Sequence, residues 1–318
     1  ASLLRGTTKT WGQSACALFL LPERPCSSPR KLTAVSNTPP QDPYHKTGHT
    51  SKFLSYTAII ASASVFGFVL GVSYPMLSMA LESRGISNSM IGVNGAMEGF
   101  GILASAFVGP SLAARVGTVK SLVTCLSLVA LSLLSFGIFE HHIIWMLLRF
   151  ILGIAIGSVF IVSESWINAA VDDANRGKTL GVYVTFMAGS LALGPLLVPL
   201  IGFLGLFPYL ICSLIVLVAL APLIMARHIA PDLIQEPPSE KLLIYVLRVP
   251  VIMSAVALLA IFDFSLISLL PVYALKIDKN VTEAAFMLTS VTVGNVLLQI
   301  PIGWLSDRNN RFVVLLIC

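Results

Sequence analysis

Charge is what this sequence has least of. Asp, Glu, Lys and Arg make up 11% of its 318 residues, against about 25% in a typical soluble domain. A chain so poor in charge cannot cover a water-facing surface. Apolar residues make up 56% and mean hydropathy is +0.88, so the chain reads as an integral membrane protein. Cysteine is scarce too. Cys16, Cys26, Cys125, Cys212 and Cys318 show no C-x-x-C spacing and no nearby histidine, so they outline neither a zinc nor a disulfide framework. No G-x-x-x-x-G-K-[ST] stretch occurs, which leaves ATP-driven work unsupported. His141 and His142 are adjacent and face different ways on a helix, so no metal site is expected, and no cofactor either. The net charge of +5 is dispersed, mostly over loops, and builds no nucleic-acid surface. Only three scattered charges fall well inside the apolar runs: Glu98, Arg149 and Asp263. A membrane-embedded enzyme would need a cluster of polar groups at one depth.

What the chain has is apolar length. A membrane helix needs about 20 predominantly apolar residues. Such stretches are predicted at 53–81, 89–113, 121–139 and 143–163. No charge occurs in 179–226, which is two spans long, with Gly202-Phe203-Leu204-Gly205 and Pro208 marking the turn between them. Two more spans follow at 249–275 and 284–306, and 312–318 reads as the first turns of a ninth. Residues 1–50 differ. They are rich in Ser, Thr and Pro and bury too little to fold alone. Two readings are open for them: a transit peptide, or a disordered or non-native tail, which the opening Ala1 in place of Met favours.

Loop charges set an expected orientation. With the N-terminus inside, the inner loops hold Lys46, Lys52, Arg115, Lys120, Arg176, Lys178, Arg227, Lys241, Arg248, Arg308 and Arg311. The outer loops hold only Arg84, Lys276 and Lys279. That bias predicts a cytoplasmic N-terminus in a cell (inner) membrane. The charged, Pro-rich stretch 227–248 is the longest internal connection and reads as a cytoplasmic linker. It would divide an N-terminal six-helix bundle, 51–226, from a partial C-terminal bundle, 249–318. The two parts look alike. Pro75 precedes Arg115 by 40 residues, and Pro271 precedes Arg308 by 37.

The most telling stretch is Gly303-Trp304-Leu305-Ser306-Asp307-Arg308-Asn309-Asn310-Arg311. It resembles the loop signature G-x-L-x-D-R-x-G-R of the major facilitator superfamily, with Asn310 in place of the second glycine. Leu112-Ala113-Ala114-Arg115-Val116-Gly117 resembles a worn copy of it. Arg149-Phe150-Ile151-Leu152-Gly153 is similar to the superfamily's R-x-x-x-G motif, and Gly189 with Gly194-Pro195 to its glycine-proline motif. Glu164-Ser165-Trp166, followed by Arg176-Gly177-Lys178 and Tyr183, resembles the YcaD-like branch. The likeness spans residues 55–318. It implies an all-α, polytopic helix bundle with the MFS fold. Such a bundle would have twelve spans when complete, of which this chain is expected to supply eight and the start of a ninth. It also implies a secondary active transporter of a small solute, working by alternating access, proton-coupled, and monomeric in the lipid bilayer. The alternative is a non-transporting receptor or scaffold on the same fold. Arg115, Gly117, Glu164, Arg176, Gly303, Asp307, Arg308 and Arg311 become candidates for a cytoplasmic gate, with Arg115 expected to pair with Glu164.

An ionisable group in hydrocarbon costs at least about 2.5–3.5 kcal/mol and marks a functional site by default. Asn94, Glu98, Gly101 and Ser105 share a helical face. Two roles are open for Glu98: proton or substrate work, or a structural hydrogen bond. Asp263 lies mid-span, and the equivalent helix lines the family's central cavity, which favours a functional role. If Arg149 reaches Glu98, the two form a fixed ion pair and leave Asp263 as the proton exchanger. Gly67 and Gly71, Gly95 and Gly99, and Gly153 and Gly157 are spaced to let helices approach closely. Asn280-Val281-Thr282 is a glycosylation-type triplet on the expected outer side. Tyr74, Trp166, Tyr183 and Asn295 leave the solute open.

Overall fold

In lipid every backbone polar group must be satisfied within the protein, and a helix does this inside one segment. The computed structural model describes residues 49–139, 141–171, 176–228 and 250–308, and every element among them is helical. They are α1 (His49–Ser83), α2 (Asn88–Val116), α3 (Thr118–Ile138), α4 (His142–Ala170), α5 (Arg176–Ile201), α6 (Phe207–Val218) and α7 (Leu220–Met225). A 3-10 turn follows (Ala226–His228), then α8 (Pro250–Lys276) and α9 (Val281–Arg308). All belong to one compact unit. The expectations for the tail, for most of the 227–248 linker, for Arg311 and for 312–318 lie outside the described residues.

Seven described segments are long and apolar enough to cross a membrane: α1 to α5, the combined Phe207–Met225, and Ala257–Lys276 of α8. The 28 residues of α9 rise about 42 Å at 1.5 Å each, enough to cross a hydrocarbon core, and carry the eighth expected span. The turns form where small residues permit them. Gly202 and Gly205 take φ of 81° and 78°, and Pro208 opens α6. The sixth span is broken rather than continuous, with α6 ending at Val218 and α7 starting at Leu220. Pro222 explains the break, since it has no N–H to offer the Val218 carbonyl and its ring crowds that oxygen.

The bundle is polar inside and apolar outside along α2. Asn94, Glu98, Gly101 and Ser105 are buried, while Phe107 is exposed, as suits a lipid-facing surface, and exposed Phe100 and Leu103 face the space between α2 and α8. The most extensive packing joins α2 to α4 and α1 to α5. Missing side chains permit both. A Cβ on Gly153 would overlap the Glu98 carbonyl, and one on Gly67 or Gly71 would overlap the Met187 or Leu191 carbonyl of α5. Gly99 is different, with nothing within 4 Å of an added Cβ, so it serves no close approach among the described residues.

Candidate functional site

Three helices bring polar groups together within about 15 Å of the face where α1 ends and α2 and α4 begin. From α4, Arg149 sends Nη1 to Glu98 Oε2 of α2 at 3.1 Å, and the two side chains are 1% and 0% exposed. From α1, Ser73 donates to Glu98 Oε1 at 3.5 Å. The Tyr74 ring lies under the Arg149 guanidinium, 4.9 Å from centroid to Cζ, and its hydroxyl donates to the Gly95 carbonyl at 3.5 Å. The fixed ion pair anticipated for Glu98 and Arg149 is therefore present. The glycine contact between Gly153 and the Glu98 backbone sits one turn from it and sets the spacing of the two helices. Satisfaction is incomplete. Both amide atoms of buried Asn94 and Nε of Arg149 have no hydrogen-bond partner among the described residues.

Beside this cluster, α2 and α8 flank a half-open cavity of about 530 Å³. Gly92, Gly95 and Gly99 line one wall, Phe264 and Ser268 another. Tyr74 lines it too, so its ring faces the cavity while it supports Arg149 behind. The lining is almost wholly apolar.

Asp263 stands apart from both. It is half-buried, lies outside the cavity lining, and pairs with no described cation. At 100° per residue it is turned about 100° from Phe264 on α8, away from the lining face. Thus α8 lines a cavity, but with Ala257, Ala260, Phe264 and Ser268 rather than its acid.

At the opposite face Arg115 closes α2, and Gly117 carries the reversal into α3 at φ 90°. Arg115 and Glu164 are both exposed, and the expected pair between them is not formed. Each is solvated there, and an exposed pair gains too little to hold two long side chains together. Tyr56 of α1 donates instead to the Ala170 carbonyl at 3.3 Å, and Ser163 meets Tyr183 at 3.3 Å. Arg176 opens α5, and Gly303, Asp307 and Arg308 fall in the last turns of α9. Their side chains, and Asn295's, lie outside the described residues.

Sequence reasoning passed over Ser73 and named Tyr74 only as a solute contact. Their place just before Pro75 in a charge-free helix was the available signal. Asn280 also has an unforeseen task. Its Oδ1 accepts from the Glu283 N–H at 2.8 Å, while Glu283 Oε2 accepts from the Asn280 N–H at 3.0 Å. This reciprocal cap starts α9.

A bundle of apolar helices around a buried ion pair is the architecture of a polytopic membrane protein. The family model of the Major Facilitator Superfamily matches residues 59–318, and the chain belongs to that family. It is similar to an uncharacterized MFS-type transporter, YfkF, of Bacillus subtilis (strain 168), at 26% identity over 265 residues, covering 81% of this chain and 68% of that protein. The crystal structure of a D-xylose-proton symporter shares the fold, with a TM-score of 0.56 and 15% identity, over 80% of this chain and 69% of that one. The chain is a multi-pass membrane transporter.

Proposed function

We propose that this transporter moves a small solute by alternating access, coupled to protons. The α2–α8 cavity, backed by the buried Glu98–Arg149 pair behind Tyr74, is the observation that carries the reading. Its volume lies within the roughly 300–1,000 Å³ of small-molecule pockets. Its apolar lining favours a solute with a substantial hydrocarbon surface.

The proton falls to Asp263. Protonating Glu98 would strand the Arg149 charge in the interior, and breaking a buried pair costs about 3–5 kcal/mol. Asp263 has no paired cation among the described residues, so a change in its charge strands none of them. A symporter driven by protons on the same fold supports the coupling. Glu98 and Arg149 then hold α2 against α4 while other helices move.

We also infer the organisation expected from the loops: a six-helix bundle at 51–226, a linker at 227–248, a second bundle beginning at 249, and a monomer with a cytoplasmic N-terminus in the inner membrane. The loops after α1 and α8 put Arg84, Lys276 and Lys279 on one face, away from Arg115 and Lys120, which supports that orientation. Glu164-Ser165 near the end of α4 and Arg176-Gly177-Lys178 at the start of α5 support the YcaD-like branch. The gate role of Arg115, Gly117, Glu164, Arg176, Gly303, Asp307, Arg308 and Arg311 belongs to the same reading.

Full-length protein in proteoliposomes tests it. Solutes that raise its melting temperature are offered under an imposed pH gradient. Accumulation that collapses with a protonophore is expected. Facilitated flux indifferent to the gradient would sink the coupling, and no flux of any stabilising solute would sink transport.

A further inference from the structure

Several bonds among the described residues tie α8 and α9 to α1, α2 and α5 towards one face of the bundle. Ser78 of α1 and Ser268 of α8 share a hydrogen bond at 3.1 Å. Gly95 of α2 lets α8 come close there, since an added Cβ would sit 3.2 Å from Ser268 Oγ. The Tyr74 and Phe264 rings meet at 5.7 Å. Thr289 of α9 donates to the Ala192 carbonyl of α5 at 3.2 Å. Above these, at the surface, Lys276 at the end of α8 donates to Asn88 Oδ1 at 2.9 Å and lies 3.5 Å from Glu82 Oε1. One ammonium thus spans the end of α1, the start of α2 and the end of α8. Towards the other face Leu258, Leu259 and Phe262 of α8 are exposed.

We propose that this face is a closed gate and that Lys276 is its latch. The inference rests on the transport reading. An ammonium has three donors and no fixed plane, so it can hold two acceptors on different helices at once. Lys276 is 46% exposed and Glu82 22%, so water competes for both. A contact of that kind is weak enough to release in every cycle. Beneath it Ser78, Ser268, Gly95, Tyr74 and Phe264 form the seal. Opening requires Lys276 to leave Glu82 and Asn88 while α8 parts from α1 and α2. Lys276 touches neither the cavity nor the ion pair. It therefore sets how much of the time the gate is shut rather than what is bound.

Two measurements on the full-length protein test the latch. In the first, a single cysteine at Ser268 is labelled with a membrane-impermeant maleimide in the absence of solute. Lys276→Met is expected to speed labelling by up to about fivefold, the equilibrium factor of a surface ion pair. Glu82→Lys combined with Lys276→Glu restores the pair and should return the rate to the parent's. In the second, cysteines replace both Ser78 and Ser268. Their separation suits a disulfide. Oxidation should abolish transport and reduction should restore it. Unchanged labelling in Lys276→Met, in a parent that transports, overturns the latch. Full transport by the oxidised double cysteine overturns the gate. Labelling that shifts as expected in a protein that moves no solute supports the latch and counts against the transport reading alone.

Discussion

Removing one partner of the Glu98–Arg149 pair should harm the protein more than removing both. Glu98→Gln leaves a guanidinium without its counter-ion against the face of Tyr74, and Arg149→Met leaves a carboxylate. Each single change is expected to cost about 3–5 kcal/mol, whereas Glu98→Gln with Arg149→Met is expected near neutral. Thermal unfolding in detergent, run as a double-mutant cycle, reads the difference. Equal losses in all three would show that the pair does not hold α2 to α4. At the surface, Glu283 responds to pH. The Asn280 backbone N–H, and then Lys279, hold its carboxyl below the ordinary 4.5. A depressed folded value means that the stabilisation is fully present above 4.5 and is lost as pH falls below it, through the folded value. Protection from hydrogen exchange in the first turn of α9, taken relative to the intrinsic amide rate at each pH, should therefore fall on acidification. Asn280→Ala should cost about 1 kcal/mol of local stability. The pH dependence should survive that change, because the backbone N–H that holds the carboxylate remains, and should vanish in Glu283→Gln.

At the scale of the helix, contact is decided by what is absent from a side chain. Gly153→Ala puts a methyl into the Glu98 carbonyl, a backbone atom that cannot turn aside. The two helices must separate, at about 1–3 kcal/mol for overpacking. Gly99→Ala meets open space and should be tolerated. Comparing the melting temperatures of the two variants checks this, and equal values would refute the close approach. Both glycines carry the same i, i+4 signal in the sequence, which explains why spacing alone put them in one class. The helix borders were legible for a physical reason, since charge-free runs, Gly202-to-Gly205 and Pro208 act locally. The break at Ala219 was legible in principle from Pro222, but hydropathy averages over it. The Glu98–Arg149 contact was within reach because both charges lie inside apolar helices, where each must find a partner. Lys276 was not. It is one of many loop cations in sequence, and its acceptors Glu82 and Asn88 are remote in the chain.

Across the whole molecule, the two membrane acids are expected to separate by function. Glu98 lies in the interface that holds α2 to α4, and Asp263 lies on α8, whose described ties to α1 and α2 gather at one face. A proton carrier has to meet water on each side in turn. A half-buried group on a helix that parts from its neighbours can do so, and a fully buried one paired at 3.1 Å cannot without losing its partner. Asp263→Asn keeps the volume and removes the charge. In proteoliposomes it should lose proton-driven accumulation while keeping solute exchange, because exchange needs only binding and the swing of the helices. Glu98→Gln should lower the melting temperature and slow both processes together, since it weakens the interface on which both depend. The pH dependence separates the outcomes. Exchange by Asp263→Asn should become flat where the parent's varies, and Glu98→Gln should keep the parent's profile at reduced rate. If instead both variants accumulate solute with the parent's pH dependence, neither acid carries the proton, and Asp263 joins Glu98 as a structural group.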